Sequence, residues 1–582
     1  MFLADIIDFH RREEKTKWWR MFDLAEATEN ELYDDMDCIA RVKSIGTPSP
    51  LKQSYLQKYQ FNSLQECKIS NNKKSIMMFT GNLDIKFTAD YINTSKGELV
   101  LKISKKKLEE GFDGVFPKYG SLIPYEHIPS KSMQESLMNT CREYLEGKIN
   151  KTTLSIINRD KIENINKLKK YSGYEKLLQI SDIIENKCVL VQGPPGTGKT
   201  YTASHTIANL LKQGKKIGIS SNSHKAIDNL LEAVIDVLNN EKIKLEGVRV
   251  GGDTESNTLK EKSSLLFLKS SSQAKENYKG GVVAGTSWLF SRPEWRKALD
   301  FLFIDEAGQV SLANTIAVSP CANNIVLLGD QMQLKQPIQG SHPRDANLSG
   351  LQYTLKDILH STPDKPVFHS VVPDEYGIFL NESRRMHPNV CSFISESIYE
   401  RRLLSYNDCA HQKIKINKSD KNIITKENGI LFVNVNHTGN TRKSEEEAEK
   451  ILQVYKELIG KEYTSSEKTI RLLKLEDFLF IAPYNAQVAL LKSKLPKTAK
   501  VGTIDKFQGQ EAPVCIISLC MSYGEERERG LSFVLDKNRI NVAISRTQCL
   551  AVVVGDKRIA NNKAKSIDNI KQINLFCKLI TY

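Results

Sequence analysis

The chain has 582 residues, with 83 lysines and arginines against 69 acidic residues, a formal net charge of +14 at neutral pH and 40% apolar residues. That length exceeds one ordinary core, so about three or four domains are expected, and the excess of positive charge favours a polyanion such as nucleic acid as partner, although a lysine-rich genome gives the same balance. No apolar run approaches the ~20 residues of a membrane span, the opening MFLADIIDFHRREEK lacks the basic-then-apolar order of a secretory leader, and the scattered cysteines form no CxxC pair, which leaves neither a disulfide framework nor a zinc site and makes a reducing cytoplasm the expected compartment.

Residues 2–23 repeat apolar positions at helical spacing, Leu3, Ile6, Ile7 and Phe9, then Trp18, Trp19 and Phe22, and read as a helix that packs. The basic run His10 to Lys17 is either a phosphate contact or a solvated helix face. From Cys38 to Phe116 the texture changes to short β-prone runs, KSIMMFTG, LDIKFTADYI and GELVLKIS, broken by Gly, Asn and Ser, which predict a small β-barrel. Lys73, Lys74, Lys86, Lys102 and Lys105 to Lys107 lie on or beside these runs. They form a basic face toward nucleic acid or ordinary solvated lysines on strand edges. Helical spacing returns over 124–185.

The stretch CVLVQGPPGTGKTYT (Cys188 to Thr202) reads as a buried strand, a glycine-rich loop and the first turn of a helix. Gly193, Pro194, Pro195, Gly196, Thr197 and Gly198 form a loop whose N–H groups can curl around phosphate oxygens. Lys199 is spaced to reach the β- and γ-phosphates and the Thr200 hydroxyl to hold Mg²⁺, so a nucleoside triphosphate is the expected ligand. The next strand, KKIGIS, turns into a helix at Ser220, Asn222 and His224, polar groups that grip a sugar-phosphate backbone or, with Ser221 or Ser223, only cap the helix. Residues 251–280 are polar and irregular and read as an insertion, followed by the strand GVVAGTSWLF with Thr286 at its end.

FLFIDEAGQ (Phe301 to Gln309) is an apolar strand ending in two carboxylates. Asp305 can hold Mg²⁺ through water and Glu306 can activate the attacking water, whereas a buried acidic pair with neither task is costly. IVLLGDQMQL brings Gln333, whose amide can sense a γ-phosphate. A second strand-and-helix half begins near Phe368 without a phosphate loop. It contributes Arg385 and Arg546, whose fixed charge and planar donor fork suit developing phosphoryl charge.

Taken in order, GPPGTGKT, FIDEAGQ, LGDQMQL, SRRMHP, GTIDKFQGQE and NVAISR resemble a superfamily 1 helicase, in the branch of the nonsense-mediated-decay helicase and the Okazaki-fragment nuclease-helicase. The resemblance spans residues 171–556. It implies an α/β architecture of two RecA-like P-loop domains with an N-terminal helical stalk and a small β-barrel: stalk 1–35, barrel 36–125, first RecA-like domain 126–366 with its insertion near 251–280, second 367–582. ATP and Mg²⁺ are the implied cofactors, with 5′-to-3′ movement on single-stranded DNA, RNA being possible. Carried over by position, Glu306 and Gln333 become base and sensor, Arg385 and Arg546 arginine fingers, and Glu511 a ribose contact. Ser220, Asn222, Thr286, Pro483, Tyr484 and Thr503 become strand contacts. Arg384 stands where the family usually has an aromatic residue. The segment DIIDFHRREEKTKWWRMFD resembles one that joins a RecB-type nuclease to the same helicase, which implies a separate helicase subunit with a nuclease partner or a piece of a larger protein. The rival reading is an ATP-gated nucleic-acid clamp that does not separate strands. A metabolic P-loop kinase or transporter ATPase is disfavoured, because it needs no second, arginine-bearing sheet.

Overall fold

Alternating apolar and polar positions between residues 39 and 124 close into a six-stranded antiparallel barrel in the computed structural model, which describes residues 2–65, 67, 69, 75–125, 130–163, 165–168, 170–252, 257–362, 366–416, 422–524 and 528–582. Helix α1 (Phe9–Glu26) precedes strands β1 (Ile39–Leu51), β2 (Ser54–Gln60), β3 (Ile76–Phe79), β4 (Asn82–Asn93), β5 (Glu98–Ser104) and β6 (Tyr119–Pro124), paired in the order β1-β2-β5-β4-β3-β6. In β5 the inward set Leu99, Leu101 and Ile103 meets Tyr59, Phe79 and Phe87, while Lys102 alternates outward, as a two-residue period requires. Lys86 lies over the Tyr125 ring at 3.7 Å and Lys105 over Tyr55 at 5.1 Å. Lys73 and Lys74 lie outside the described residues. In α1, Phe9, Met21 and Leu24 are buried, whereas Trp18, Trp19 and Phe22 are exposed, with both tryptophans in ring contact with Phe22.

Residues 7–134 and 338–343 form one compact unit, and residues 1–6, 135–337 and 344–582 form the other. The second unit holds two parallel sheets. The first is built from β7 (Cys188–Gln192), helix α2 (Lys199–Lys212), β8 (Ile217–Ser220), helix α3 (His224–Asn240), β9 (Glu246–Val250), β10 (Ser264–Leu268), β11 (Val282–Ala284), β12 (Leu299–Ile304), β13 (Ala322–Gly329) and β14 (Gly377–Phe379). Its order is β10-β9-β11-β8-β12-β13-β7-β14, every pair parallel. Strands such as β7 are buried on both faces, so they read as unbroken apolar runs. The apolar stripe of α3 (Ile227, Leu230, Leu231, Val234, Ile235, Leu238) covers one face. The segment read as an irregular insertion supplies β10, whose LLFL run adds an edge strand to β9.

The second sheet follows with helix α4 (Pro388–Ile398), β15 (Gly429–Asn434), helix α5 (Glu445–Leu458), β16 (Phe478–Ile481), helix α6 (Asn485–Lys494), β17 (Lys500–Gly502), β18 (Ala512–Ser518), helix α7 (Lys537–Ser545), β19 (Thr547–Gly555) and helix α8 (Ile567–Thr581). Its order is β15-β19-β18-β16-β17, again all parallel, with a separate apolar cluster on each face. Parallel strands deliver the residues that follow them to one edge, so each sheet gathers its polar loops on one side. The architecture is α/β, with a closed barrel in one unit and two P-loop-type sheets in the other. Among the described residues no helix is long and apolar enough to cross a membrane.

Candidate nucleotide site and nucleic-acid edge

The phosphate loop leaves β7 and ends at Gly198, whose φ of 77° is left-handed and forms the N-cap of α2. Gly196 has φ 78°, and a Cβ there would come within 2.6 Å of the Arg385 Cβ and 2.8 Å of the Ser383 hydroxyl, so only glycine lets the two segments meet. Ser383 Oγ donates to the Pro195 carbonyl (3.0 Å) and the Arg384 N–H to the Gly196 carbonyl (2.9 Å). Gly193 N–H donates to the Gly329 carbonyl at 2.9 Å, tying the loop to β13, and Thr197 Oγ1 donates to the Pro194 carbonyl at 2.8 Å.

Lys199 Nζ stands 3.0 Å from Glu306 Oε1 and 3.4 Å from Asp305 Oδ1. Burial alone lowers its pKa, but the fields of Glu306 and Asp305 outweigh burial and hold the ammonium above its ordinary value. Burial pushes Asp305 up, with Lys199 opposing; for Glu306 burial also pushes up, and Lys199 wins, so the net direction is down. Glu306 has φ 52°, a sparsely populated conformation for a residue with a Cβ, and Asp305 Oδ1 accepts its N–H at 2.8 Å. Asp330, 4% exposed, accepts from Gln192 Nε2 (3.1 Å), the Met332 N–H (3.1 Å), Gln333 Nε2 (3.0 Å) and Tyr399 Oη (2.5 Å). The exposed Thr200 beside Lys199 fits the hydroxyl that Mg²⁺ would need, with Asp305 as the nearby carboxylate, although among the described residues no group of three His, Cys, Asp or Glu ligands stands together.

Both arginines of the second half arrive at this seam. Arg385 Nε donates to Glu511, its Nη1 donates to the Ser545 carbonyl at 3.0 Å, and Gln548 Nε2 donates to the other Glu511 oxygen at 2.9 Å. Glu511, expected at a ribose, here holds Arg385. Arg546, 3% exposed, donates only to the carbonyls of Val542 (3.2 Å) and Gln510 (3.4 Å), with no carboxylate within 4 Å among the described residues. Burial and then Arg385 pull its pKa down to about 10, which still leaves it charged at neutral pH. Gln508 Nε2 reaches Glu306 Oε2 across the seam at 3.3 Å. Arg384 lies over the Tyr406 ring at 4.5 Å, so an aromatic backs the position where the family carries one.

Two AAA-domain family profiles match, one over residues 157–287 and one over residues 365–558. The chain is 27% identical over 391 residues to the DNA replication ATP-dependent helicase/nuclease JHS1 of Arabidopsis thaliana, covering 63% of this chain and 27% of that protein. It is 24% identical over 422 residues to the DNA polymerase alpha-associated DNA helicase A of Schizosaccharomyces pombe, covering 63% and 60%. An uncharacterized ATP-dependent helicase of Methanocaldococcus jannaschii is 23% identical over 559 residues, covering 79% and 80%. The chain carries two AAA-domain segments and is similar to proteins named as ATP-dependent helicases. It spans 27% and 60% of the lengths of the first two of these relatives.

The strand contacts expected of a superfamily 1 helicase fall at the C-terminal edges of both sheets, with one correction. Ser220 is fully buried, its Oγ enclosed without a partner among the described residues, because all four residues of β8 are covered on both faces; its carbonyl accepts from the Asp305 N–H at 2.8 Å. Asn222 is exposed and donates to the Gln309 carbonyl. Thr286 after β11 and Thr503 after β17 occupy matching places. Each is the N-cap of a short helix, and neither hydroxyl makes the capping bond. Tyr484 is half-buried beside Pro483 and stacks on Phe533 at 5.2 Å, whose other partner is the Arg539 guanidinium at 3.9 Å. Gln508, Tyr399, Phe533 and Arg539 were not singled out in the sequence, and Asp330 stood beside Gln333 at a strand end without a role of its own. For Gln508 the signal lay inside the quoted motif GTIDKFQGQE.

Proposed function

We propose that the chain is an ATP-dependent translocase and helicase on single-stranded nucleic acid, DNA before RNA, moving 5′ to 3′. One observation carries this reading: Arg546 is a buried guanidinium without a carboxylate partner, at a seam where Lys199 and three carboxylates lie opposite. A buried charge left in that state is costly, and a triphosphate is the ligand that would satisfy it. The DNA preference rests on the relatives, two of which are named for DNA replication or DNA polymerase. A nuclease acting alongside is supported by the helicase/nuclease name of one of them.

In this mechanism the phosphate loop and Lys199 bind the β- and γ-phosphates of ATP. Mg²⁺ held by Thr200 and Asp305 would neutralise charge between those phosphates. Glu306, kept ionised by Lys199, takes the proton of the attacking water. Gln333 senses the γ-phosphate, and Arg385, held by Glu511, and Arg546 neutralise charge on the transferring group. Asn222, Thr286, Thr503 and Tyr484 hold the strand, and alternating grip between the two sheets moves it.

ATPase rates without polynucleotide, with single-stranded DNA and with single-stranded RNA test the reading, together with unwinding of duplexes bearing a 5′ or a 3′ tail. Stimulation by DNA and unwinding from the 5′ tail are expected. DNA-stimulated turnover without strand separation means a clamp, and no stimulation by any polynucleotide removes the motor.

A further inference from the structure

Helix α7 carries Arg546 at its C-cap and, on the face earlier in the helix, Asn538 and Asn541 three residues apart. Asn538 Nδ2 donates to the main-chain carbonyls of Gln331 (3.0 Å) and Gln333 (2.5 Å). Asn541 Nδ2 donates to the Met332 carbonyl (2.7 Å) and to Tyr399 Oη (2.8 Å). Tyr399, in the core of the second sheet, donates its own hydroxyl proton to Asp330 of the first (2.5 Å). Three consecutive carbonyls after β13 are therefore held by two amides of the helix that ends in Arg546. Every side chain in this clasp is buried: Tyr399 and Asn541 at 0%, Asp330 at 4% and Asn538 at 7% exposure.

Buried amides are tolerated only when paired, and hydrogen bonds, unlike apolar contacts, pair in one register. A shift of the second sheet against the first must either break these bonds or carry the turn 330–333 with it. Asn541 Oδ1 and Gln331 Oε1 remain buried without a hydrogen-bond partner among the described residues.

We propose that Tyr399, Asn538 and Asn541 are positioning residues that lock the Asp330–Gln333 turn to helix α7, so that the turn facing the terminal phosphate and Arg546 move as one piece. The inference rests on the nucleotide reading of the seam. It gives that seam a residue-level coupling: occupancy at Gln333 is reported to the second sheet through α7, whose Arg539 also backs the Tyr484–Phe533 stack.

The test uses the full chain with Tyr399→Phe, which removes one hydroxyl, with Asn541→Ala, and with both. Dissociation constants for ADP and for a non-hydrolysable ATP analogue are measured, with kcat and KM for ATP in the presence of oligo-dT, and melting temperature as a control. The unchanged protein is expected to prefer the triphosphate. Each single variant reduces that preference about fivefold or more by weakening the analogue and not ADP, within the usual range of site coupling. Each lowers kcat about tenfold at nearly constant KM, and the double variant is no worse than the worse single, because the clasp acts as a unit. Preference and kcat retained in both singles, losses that multiply, or equal weakening of ADP and analogue overturn the clasp. If Tyr399→Phe does not fold, Asn538→Ala carries the same readouts. An unchanged protein that binds neither nucleotide overturns the nucleotide reading and the clasp together, whereas one that binds and hydrolyses ATP while its variants match it overturns the clasp alone.

Discussion

The two sides of the seam handle charge in opposite ways. The first sheet pairs its cation internally: the Lys199 ammonium sits within 3.4 Å of both Asp305 and Glu306. The second sheet pairs Arg385 with Glu511 but leaves Arg546 on two backbone carbonyls. A buried guanidinium so placed lowers stability, and a site retains such a group where an external anion completes it. The first side reads as a cradle that holds its shape, the second as a clamp that needs its load.

The largest effect that sharpens this contrast is in turnover. Arg546→Ala should bind ATP and lose roughly 10³- to 10⁵-fold in ATPase rate, the range for an arginine finger. Retained activity would mean that the uncompensated cation has no catalytic task. Glu306→Gln, on the internally paired side, should lose about 10²- to 10⁴-fold and trap bound ATP, as removal of a general base does. Single-turnover assays with the variants separate binding from chemistry in both cases.

The contrast was only half legible in the sequence. GPPGTGKT and FLFIDEAGQ are local: strand, loop and carboxylates follow one another, so Lys199, Asp305 and Glu306 were placed by chain order alone. Arg385 and Arg546 stood out as cations of the second half, but their role as arginine fingers came from the resemblance, since nothing within a few residues of either announces a phosphate. Their meeting at the seam depends on Arg385 lying against Gly196, 189 positions earlier, and on helix α7 seating against the turn after β13. Asn541 stood inside the quoted motif NVAISR without a role, and Tyr399 and Asn538 escaped notice because a buried amide or phenol looks like any other until its partner, 69 to 207 positions away, is in place. Ser220 misled for the converse reason. A four-residue strand covered on both faces offers no alternation to say which side chain reaches the edge. The edge strand β10 did leave a signal, the run LLFL, inside a segment whose polarity drew attention away from it.

Stability without nucleotide gives the next test. Lys199→Met leaves two carboxylates facing each other without their cation and should lower stability by about 3–5 kcal/mol, the cost of breaking a buried pair from one side. Arg546→Met removes a charge that makes no ion pair among the described residues, so it should cost less stability than Lys199→Met. Chemical denaturation of the two variants at pH 7 reads the difference. Equal destabilisation would show that Arg546 is as well compensated as Lys199 and would dissolve the contrast.

The smallest effect lies within the first-sheet cluster and has opposite signs for its two acids. The folded pKa of Glu306 is depressed below its ordinary 4.5, so its ionised form adds stability at neutral pH, which is lost as pH falls through that lowered value. The folded pKa of Asp305 is raised above its ordinary 3.8 by burial, so its ionised form costs stability at neutral pH and none once pH is below 3.8. Glu306→Gln should therefore weaken the protein at pH 7, and Asp305→Asn should strengthen it. The Asp305 difference should vanish once the buffer is below pH 3.8, and the Glu306 difference should persist until pH falls through its lowered value. Denaturant midpoints collected from pH 7 downward check the two signs at once. If both variants moved stability in the same direction at pH 7, Lys199 would not be dividing its attraction unequally between the two carboxylates, and Glu306 would lose its claim to be the acid held ready as base.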